Sequence, residues 1–150
     1  HRGGHVVVHR DAQVERVMSR QCLDMLVVDP QPLRRSPWSS GGTEMFNTHC
    51  PEMLISAMIG AHAVVTRSLH LGVFALAAGV PFCCLDLGNE PQSNKMRDYW
   101  HRAGMVDVMY DGDDPVRHAV SLKHDWLACR DRQRAALNKH FDEIVKSLES

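Results

Sequence analysis

A chain of 150 residues is long enough to form one domain that buries about two-thirds of its unfolded surface. Its hydrophobic content of 44% and its charged content of 23% are ordinary for a globular protein and argue against disorder. The formal net charge of -1 supplies no basic field, so nucleic acid is not an expected partner.

The cysteines indicate the expected compartment. Their number is odd and none forms a CxxC pair, so the sequence predicts reduced thiols and a cytoplasmic protein. Cys83 and Cys84 are adjacent in an apolar run, and on a strand their side chains would face opposite sides of the sheet. No run reaches the roughly 18 apolar residues of a membrane helix, and no signal peptide is visible, so no membrane span is expected.

The first part of the chain predicts two short strands and the segments that connect them. His5–His9 and Met25–Asp29 are β-branched, apolar runs, with a helical pattern from Asp11 to about Cys22 between them. The segment Arg34–Glu44 has the proline, serine and glycine content of a long loop. Pro51 then suits the first position of a helix.

The second part alternates apolar strands with helices of about ten residues, which is typical of βαβ units in a parallel sheet. Several strands are apolar on both faces, so helices are expected on both sides of the sheet. The fold prediction is therefore a single α/β domain over residues 1–150, with a Rossmann-like parallel sheet. The predicted elements are strands Ala63–Thr66, Phe82–Leu87 and Val106–Tyr110, helices Leu69–Ala78 and Gln92–Ala103, and two C-terminal helices within residues 115–150.

Polar residues collect where two of these strands end. Arg67, Ser68 and His70 lie where one predicted strand ends and the following helix begins. Asn89 follows the next strand, and Lys95 lies one turn into the helix after it. In an open parallel sheet, ligands bind beyond the carboxyl ends of the strands. A helix N-terminus attracts carboxylates and phosphates, an arginine binds either, and a histidine exchanges protons near neutral pH. The pattern predicts an anion-binding site.

Each of these residues also has a purely structural interpretation. Ser68 can act only as a helix cap, and His70 can be a structural histidine. Lys95 can be a solvated helix charge, and Arg67 can be an ordinary surface residue. Their convergence on one predicted edge of the sheet favours the functional interpretation.

Two further patterns bear on ligands and partners. His5 and His9 share a strand face but lie about 13 Å apart, too far for one ion, so no metal site is predicted. Near the C-terminus, four apolar residues form one helical stripe that can pack on this domain's own sheet, on a partner domain or on a second subunit. The stripe consists of Leu137, Phe141, Ile144 and Leu148.

The segment SAMIGAHAVVTRSLHLGVFALAAGVPF, residues 56–82, resembles the signature region of the polysaccharide pyruvyl transferase family. The resemblance covers about Glu52 to Met105 and depends chiefly on Leu69-His70 and on the Gly-Val-Pro that closes the helix. Ser68 stands where many members of the family have arginine, and Arg67 lies one residue earlier.

The resemblance implies transfer of a pyruvyl group from phosphoenolpyruvate to two hydroxyls of a sugar or lipid-linked oligosaccharide, forming a ketal without a further cofactor. It implies that His70 is the catalytic acid or lies against the donor and that Lys95 contacts the donor's anionic groups. Arg67, Ser68, Leu69 and Asn89 are the further substrate-binding residues expected at the same edge of the sheet. Family members resemble two-domain glycosyltransferases of the B type. This chain would then be most of the C-terminal domain, with an N-terminal domain as its partner, and inactive alone.

Two rival functions remain open. A nucleotide-sugar glycosyltransferase or epimerase domain of the same architecture would place a diphosphate at the same edge of the sheet. A non-catalytic α/β domain would serve in binding or assembly. Stabilisation by phosphoenolpyruvate, by a uridine diphosphate ligand or by neither would separate the three hypotheses.

Overall fold

The structure is a computed structural model that describes residues 5–21, 24–29, 44–47 and 50–149. The described strands are β1 (Val6–His9), β2 (Met25–Asp29), β3 (Glu44–Asn47), β4 (Ala63–Thr66), β5 (Phe82–Leu85) and β6 (Met109–Tyr110). The described helices are α1 (Ala12–Met18), α2 (Pro51–Met58), α3 (Leu69–Ala78), α4 (Pro91–Arg102), α5 (Pro115–Ser121), α6 (Trp126–Arg132) and α7 (Arg134–Glu149).

The strands form one sheet in which every pair is parallel, in the order β3-β2-β1-β4-β5-β6. From β1 the chain moves outward through β2 to β3, and it then returns to the centre and moves the other way through β4, β5 and β6. The direction of winding therefore reverses between β1 and β4. In open α/β sheets, the crevice at such a reversal is the usual place for a ligand.

Helices cover both faces of the sheet, as the two-sided apolar strands predict. One apolar cluster joins the sheet to α1 and α5, and a larger one joins its other face to α2, α3, α4, α6 and α7. Cys83 belongs to the first cluster and Cys84 to the second, because neighbouring residues of a strand point to opposite faces. The Rossmann-like fold predicted from the sequence is confirmed.

Helix α3 is the central helix of the larger cluster, and seven of its ten residues are buried. Gly72 allows this close packing, since a Cβ there would lie 3.0 Å from the Trp100 ring and 3.3 Å from the Cys84 sulfur. Gly79 ends the helix in the left-handed conformation, at φ 73°, which glycine adopts without strain.

The structure corrects the sequence prediction at several elements. Strand β3 (Glu44–Asn47) was not predicted, and the strand predicted as Phe82–Leu87 ends at Leu85. Val106–Val108 forms a 3₁₀ turn instead of a strand, and only Met109 and Tyr110 pair with β5. The two valines have strand-forming side chains, but in the observed parallel register pairing with β5 begins only at Met109, opposite Cys84. Residues 115–149 form three helices instead of two, because Asp125 caps a separate helix α6. The predicted loop lies mostly outside the described residues.

The described cysteines, Cys50, Cys83, Cys84 and Cys129, are free thiols, and Cys22 lies outside the described residues. Burial raises the pKa of Cys84 to about 12. Burial also raises the pKa of Cys83, and the neighbouring Cys84 adds to the effect. Both strand thiols are therefore held in the protonated form.

In the C-terminal stripe, Ile144 is buried in the larger core cluster and Leu148 packs against it. These two residues support packing of α7 on this domain's own core, while the side chains of Leu137 and Phe141 lie outside the described part of the chain. Across the residues that the structure describes, helices are too short or too polar to pass through a membrane.

We expect the stability of the protein to be sensitive to truncation of side chains on the buried side of α4. Met96 is completely buried, so Met96→Ala should lower the free energy of unfolding by about 2–5 kcal/mol, because it removes buried atoms and leaves a cavity. Met53, which is 49% exposed on α2, provides the matched control, and Met53→Ala should change stability by less than about 0.5 kcal/mol. Urea unfolding of the two variants measures the difference, and equal losses would contradict the packing described here.

Candidate functional site

The candidate site lies at the carboxyl edge of the sheet, where its winding reverses. Strand β1 ends at His9 and strand β4 at Thr66. The backbone N–H of Arg67 donates to His9 Nδ1 at 3.2 Å and so connects the two strand ends. Because Nδ1 accepts this hydrogen bond, the ring proton of neutral His9 is on Nε2.

The turn from β4 into α3 is shaped by two hydroxyls. Buried Thr66 accepts the Ser68 N–H on its Oγ1 at 2.8 Å. Ser68 has extended backbone angles and accepts the Leu71 N–H on its own Oγ at 3.4 Å. Ser68 therefore caps α3, as the structural interpretation of this residue predicted. The two hydroxyls fix the direction in which the helix leaves the sheet.

The first turn of α3 presents backbone donors and an imidazole at this edge. Leu69 and His70 are its first two residues, and the intrahelical ladder begins with the Gly72 N–H donating to Ser68 O. The Leu69 side chain is 4% exposed within the core, so a ligand would meet its backbone. His70 is half-buried. A helix start with a neighbouring imidazole can hold an anion and exchange a proton with it.

Arg67 is held between two carboxylates. Its Nε lies 3.3 Å from Asp11 Oδ2, its Nη1 lies 3.3 Å from Glu90 Oε1, and its side chain is 22% exposed. Asp11 and Glu90 are the N-cap residues of α1 and α4. The guanidinium therefore ties the starts of two helices together across the end of the sheet, and its charge is balanced by theirs.

Glu90 is a well-satisfied carboxylate. Its Oε1 accepts the Ser93 N–H at 2.6 Å and the Ser93 hydroxyl, in addition to the Arg67 guanidinium. The hydrogen bond from the Ser93 hydroxyl is the main reason that the pKa of Glu90 is lowered, and the charge of Arg67 contributes. At neutral pH this rim residue is an anion.

Asn89 and Lys95 lie at and just beyond the start of α4, and both are exposed. Asn89 Oδ1 accepts a hydrogen bond from Asn94 Nδ2 at 3.0 Å. The buried side of α4 carries Ser93, Met96 and Trp100, which leaves Lys95 on its outer side. The structure thus brings Arg67 and Asn89 to the predicted edge of the sheet. Lys95 lies about one helical turn further along α4.

Several residues of this edge were missed in the sequence. His9 and Asp11 bind Arg67 across 58 and 56 residues of chain, and Gln92 Nε2 donates to Arg67 O at 3.0 Å. Asp11 could have been found as a helix cap, because it precedes a helical pattern. Its pairing with Arg67 has no local signal.

A second ion pair supports the loop after β5. Arg97 Nε lies 3.2 Å from Asp86 Oδ2, its Nη2 lies 2.5 Å from Asp86 Oδ1, and it also donates to Gly88 O. The hydrogen bonds from Arg97 are the main cause of the lowered pKa of Asp86. Within the described ranges, no group of three or more histidine, cysteine or acidic side chains could hold a metal ion.

No protein-family model matches the chain, and no curated protein matches its sequence. Among solved structures, the chain is similar to a mutant of the O-GlcNAc transferase of Thermobaculum terrenum, with a TM-score of 0.53 and 13% sequence identity. The match covers 97% of this chain and 32% of that one, so this chain spans about a third of that protein's length. At this identity the likeness concerns the fold. The chain has a glycosyltransferase-like fold, resembling one half of the B-type architecture.

The Asp86–Arg97 pair predicts a pH dependence of stability. Because the pKa of Asp86 is lowered in the folded state, its contribution is present above its ordinary pKa of 3.8 and is lost as the pH falls through the folded value. Asp86→Asn should therefore cost on the order of 1 kcal/mol at neutral pH, and the difference from the wild type should shrink in acid.

The control is Asp98→Asn on α4, the helix that carries Arg97. Asp98 pairs with Arg102 at 2.9 Å, but both side chains are largely exposed, so this change should cost less than about 0.5 kcal/mol. Urea unfolding at several pH values compares the two variants. A loss for Asp86→Asn that stays constant down to strongly acidic pH would show that the lowered pKa does not contribute.

Proposed function

We propose that this chain is one half of a two-domain, sugar-modifying transferase, in which the edge between β1 and β4 binds the anionic group of an activated donor. The observation that supports this most is the position of His70, in the first turn of α3 at the reversal point of the sheet. A proton-exchanging side chain there lies beside the donors of a helix start.

For the particular reaction, we propose pyruvyl transfer from phosphoenolpyruvate to two hydroxyls of a sugar or a lipid-linked oligosaccharide. Ketal formation needs protonation of the methylene carbon, stabilisation of an oxocarbenium-like centre and departure of phosphate. His70 would supply the proton, and a positioned acid contributes about 10²–10⁴-fold in rate. The resemblance around Leu69-His70 favours this reaction, and that scheme needs no metal.

In this proposal the remaining rim residues orient and hold the donor. The N–H groups of Leu69 and His70 would face the leaving phosphate, and Lys95 would approach it from α4. Arg67 would act mainly by positioning, because Asp11 and Glu90 already balance its charge. Asn89 and the capping Ser68 would complete the lining.

A second candidate is transfer from a nucleotide-sugar, in which a diphosphate would occupy the same edge. The observation that favours it is the fold likeness to an O-GlcNAc transferase. The two candidates differ in the donor and share the binding edge, so ligand binding separates them directly.

We expect phosphoenolpyruvate to raise the melting temperature of the chain, and a uridine diphosphate ligand to raise it less. His70→Ala should weaken phosphoenolpyruvate binding about tenfold or more, as expected for loss of a charge-assisted hydrogen bond. Lys95→Ala should weaken it as well. Titration followed by thermal shift, with inorganic phosphate as a reference ligand, measures these changes.

Matched controls are His101→Ala, an exposed histidine in the last turn of α4, and Lys139→Ala, an exposed lysine on α7. Neither should change binding. A larger shift with the uridine diphosphate ligand would favour the nucleotide-sugar candidate. Stabilisation by neither ligand would favour a non-catalytic domain and overturn the proposal.

The two-domain proposal also predicts what the chain does alone. The acceptor side of the cleft would belong to the other domain, and positioning supplies about 7–11 kcal/mol of a catalysed barrier. Phosphate release from phosphoenolpyruvate with a panel of sugar acceptors should therefore be undetectable for the 150-residue chain. Turnover on the order of 1–10³ per second would instead identify a complete small enzyme.

A further inference from the structure

A second cluster of reactive side chains lies where α6 packs against α3. Cys129 of α6 has its sulfur 3.8 Å from His124 Nδ1, and Arg132 Nη2 donates to the same sulfur at 3.1 Å. The His124 Nε2 lies 2.8 Å from Asp107 Oδ1. A thiol, an imidazole and a carboxylate are therefore arranged in a row, with a guanidinium beside the thiol.

The carboxylate fixes the role of the imidazole. Asp107 can only accept at neutral pH, so His124 donates its Nε2 proton to it, and the Nδ1 lone pair of the neutral ring faces Cys129. That nitrogen can take the thiol proton, which is the arrangement that activates a cysteine nucleophile. The Arg132 guanidinium supplies a charged hydrogen-bond donor to the same sulfur.

The position of Asp107 is itself constrained. It belongs to the 3₁₀ turn before β6, and its backbone oxygen accepts the Nε2 proton of His118 at 2.7 Å. The His118 ring stacks on Tyr110, with 4.4 Å between the ring centres. On the other side, the edge of Trp126 packs on the His124 ring, with 5.2 Å between the centres.

Access to the sulfur selects the co-reactant. Cys129 is 2% exposed and belongs to the core cluster, but its cover includes the exposed side chain of Arg132 and the His124 side chain, which is 17% exposed. Such a cover excludes a bulky substrate, so the co-reactant must be as small as hydrogen peroxide. We propose that Cys129 is a site of reversible oxidation by hydrogen peroxide to the sulfenic acid.

The step balances without a further reagent. The thiol proton passes to His124 Nδ1, and the thiolate attacks one peroxide oxygen, forming the S–O bond as the O–O bond breaks. The leaving hydroxide takes the proton from His124 and departs as water. The sulfur loses two electrons and the peroxide gains them, and a thiol reductant reverses the change.

The other described cysteines provide internal controls. Cys50 is more exposed than Cys129, but its Sγ donates to Glu52 Oε1 at 3.3 Å, so its proton is held in a hydrogen bond to a carboxylate. Cys83 and Cys84 are completely buried in the sheet. Reactivity should therefore follow the charges around the sulfur, in the order Cys129 before Cys50, and not the exposure.

The experiment treats the native chain with limiting hydrogen peroxide, traps the sulfenic acid with dimedone and locates the adduct by peptide mass spectrometry. Cys129 should be labelled first, about tenfold faster than Cys50. In urea the preference should disappear. Faster labelling of Cys50 in the folded wild type would overturn the proposal without any variant.

Variants test the neighbours of the sulfur. His124→Gln should slow labelling of Cys129 about tenfold or more, because the proton acceptor is lost, and Arg132→Gln should slow it as well. Arg130 lies on the same helix and pairs with Asp131, so Arg130→Gln should leave the rate unchanged. Thermal melts verify that each variant is folded. Labelling at the wild-type rate in folded His124→Gln and Arg132→Gln would also overturn the proposal.

Discussion

Burial of α3 along almost its whole length constrains the rest of the molecule. The helix is apolar on every side, and such a helix must be covered completely. The sheet, α2, α6 and α7 all contact it, and the contact with Trp100 is close enough to require glycine at position 72. Its first turn, at the edge of the sheet, is where the helix presents a polar group, His70, beside the capping Ser68. The location of the candidate site thus follows from the packing of one helix.

The charges of this edge define what kind of anion site it can be. Arg67 is the cation closest to the start of α3 in sequence, yet two carboxylates hold it, and the pKa of one of them, Glu90, is lowered. The site therefore offers oriented neutral donors and an imidazole more than net positive charge. Under the proposed function, such donors would hold the donor's phosphate in one orientation.

The cysteines show how environment decides the chemistry of one residue type. The Cys84 sulfur and the Trp100 ring both lie against Gly72, and burial holds Cys84 as the thiol. Cys129 is nearly as buried, but it lies next to a guanidinium and an imidazole. Burial without a charged neighbour makes the first inert, whereas the neighbours of the second can activate it.

The sequence by itself determined most strands (though not β3), most helices and the class of fold, because alternation of apolar residues, proline and glycine are local signals of backbone geometry. It also determined that Ser68 and His70 begin a helix at the carboxyl edge of the sheet. It misassigned Val106–Val108, which forms a 3₁₀ turn although its two valines favour a strand, because side-chain propensity does not show where pairing with β5 begins.

Only the tertiary structure decided which side chains meet. The Arg67–Asp11 bridge and the Asp107–His124 pair join residues 56 and 17 positions apart, and no repeat or motif in the sequence connects them. Such pairs depend on the order of strands in the sheet and on the angles at which helices pack on it. Strand order and helix packing angles are set by the burial of the whole core at once, so a local sequence pattern does not predict them.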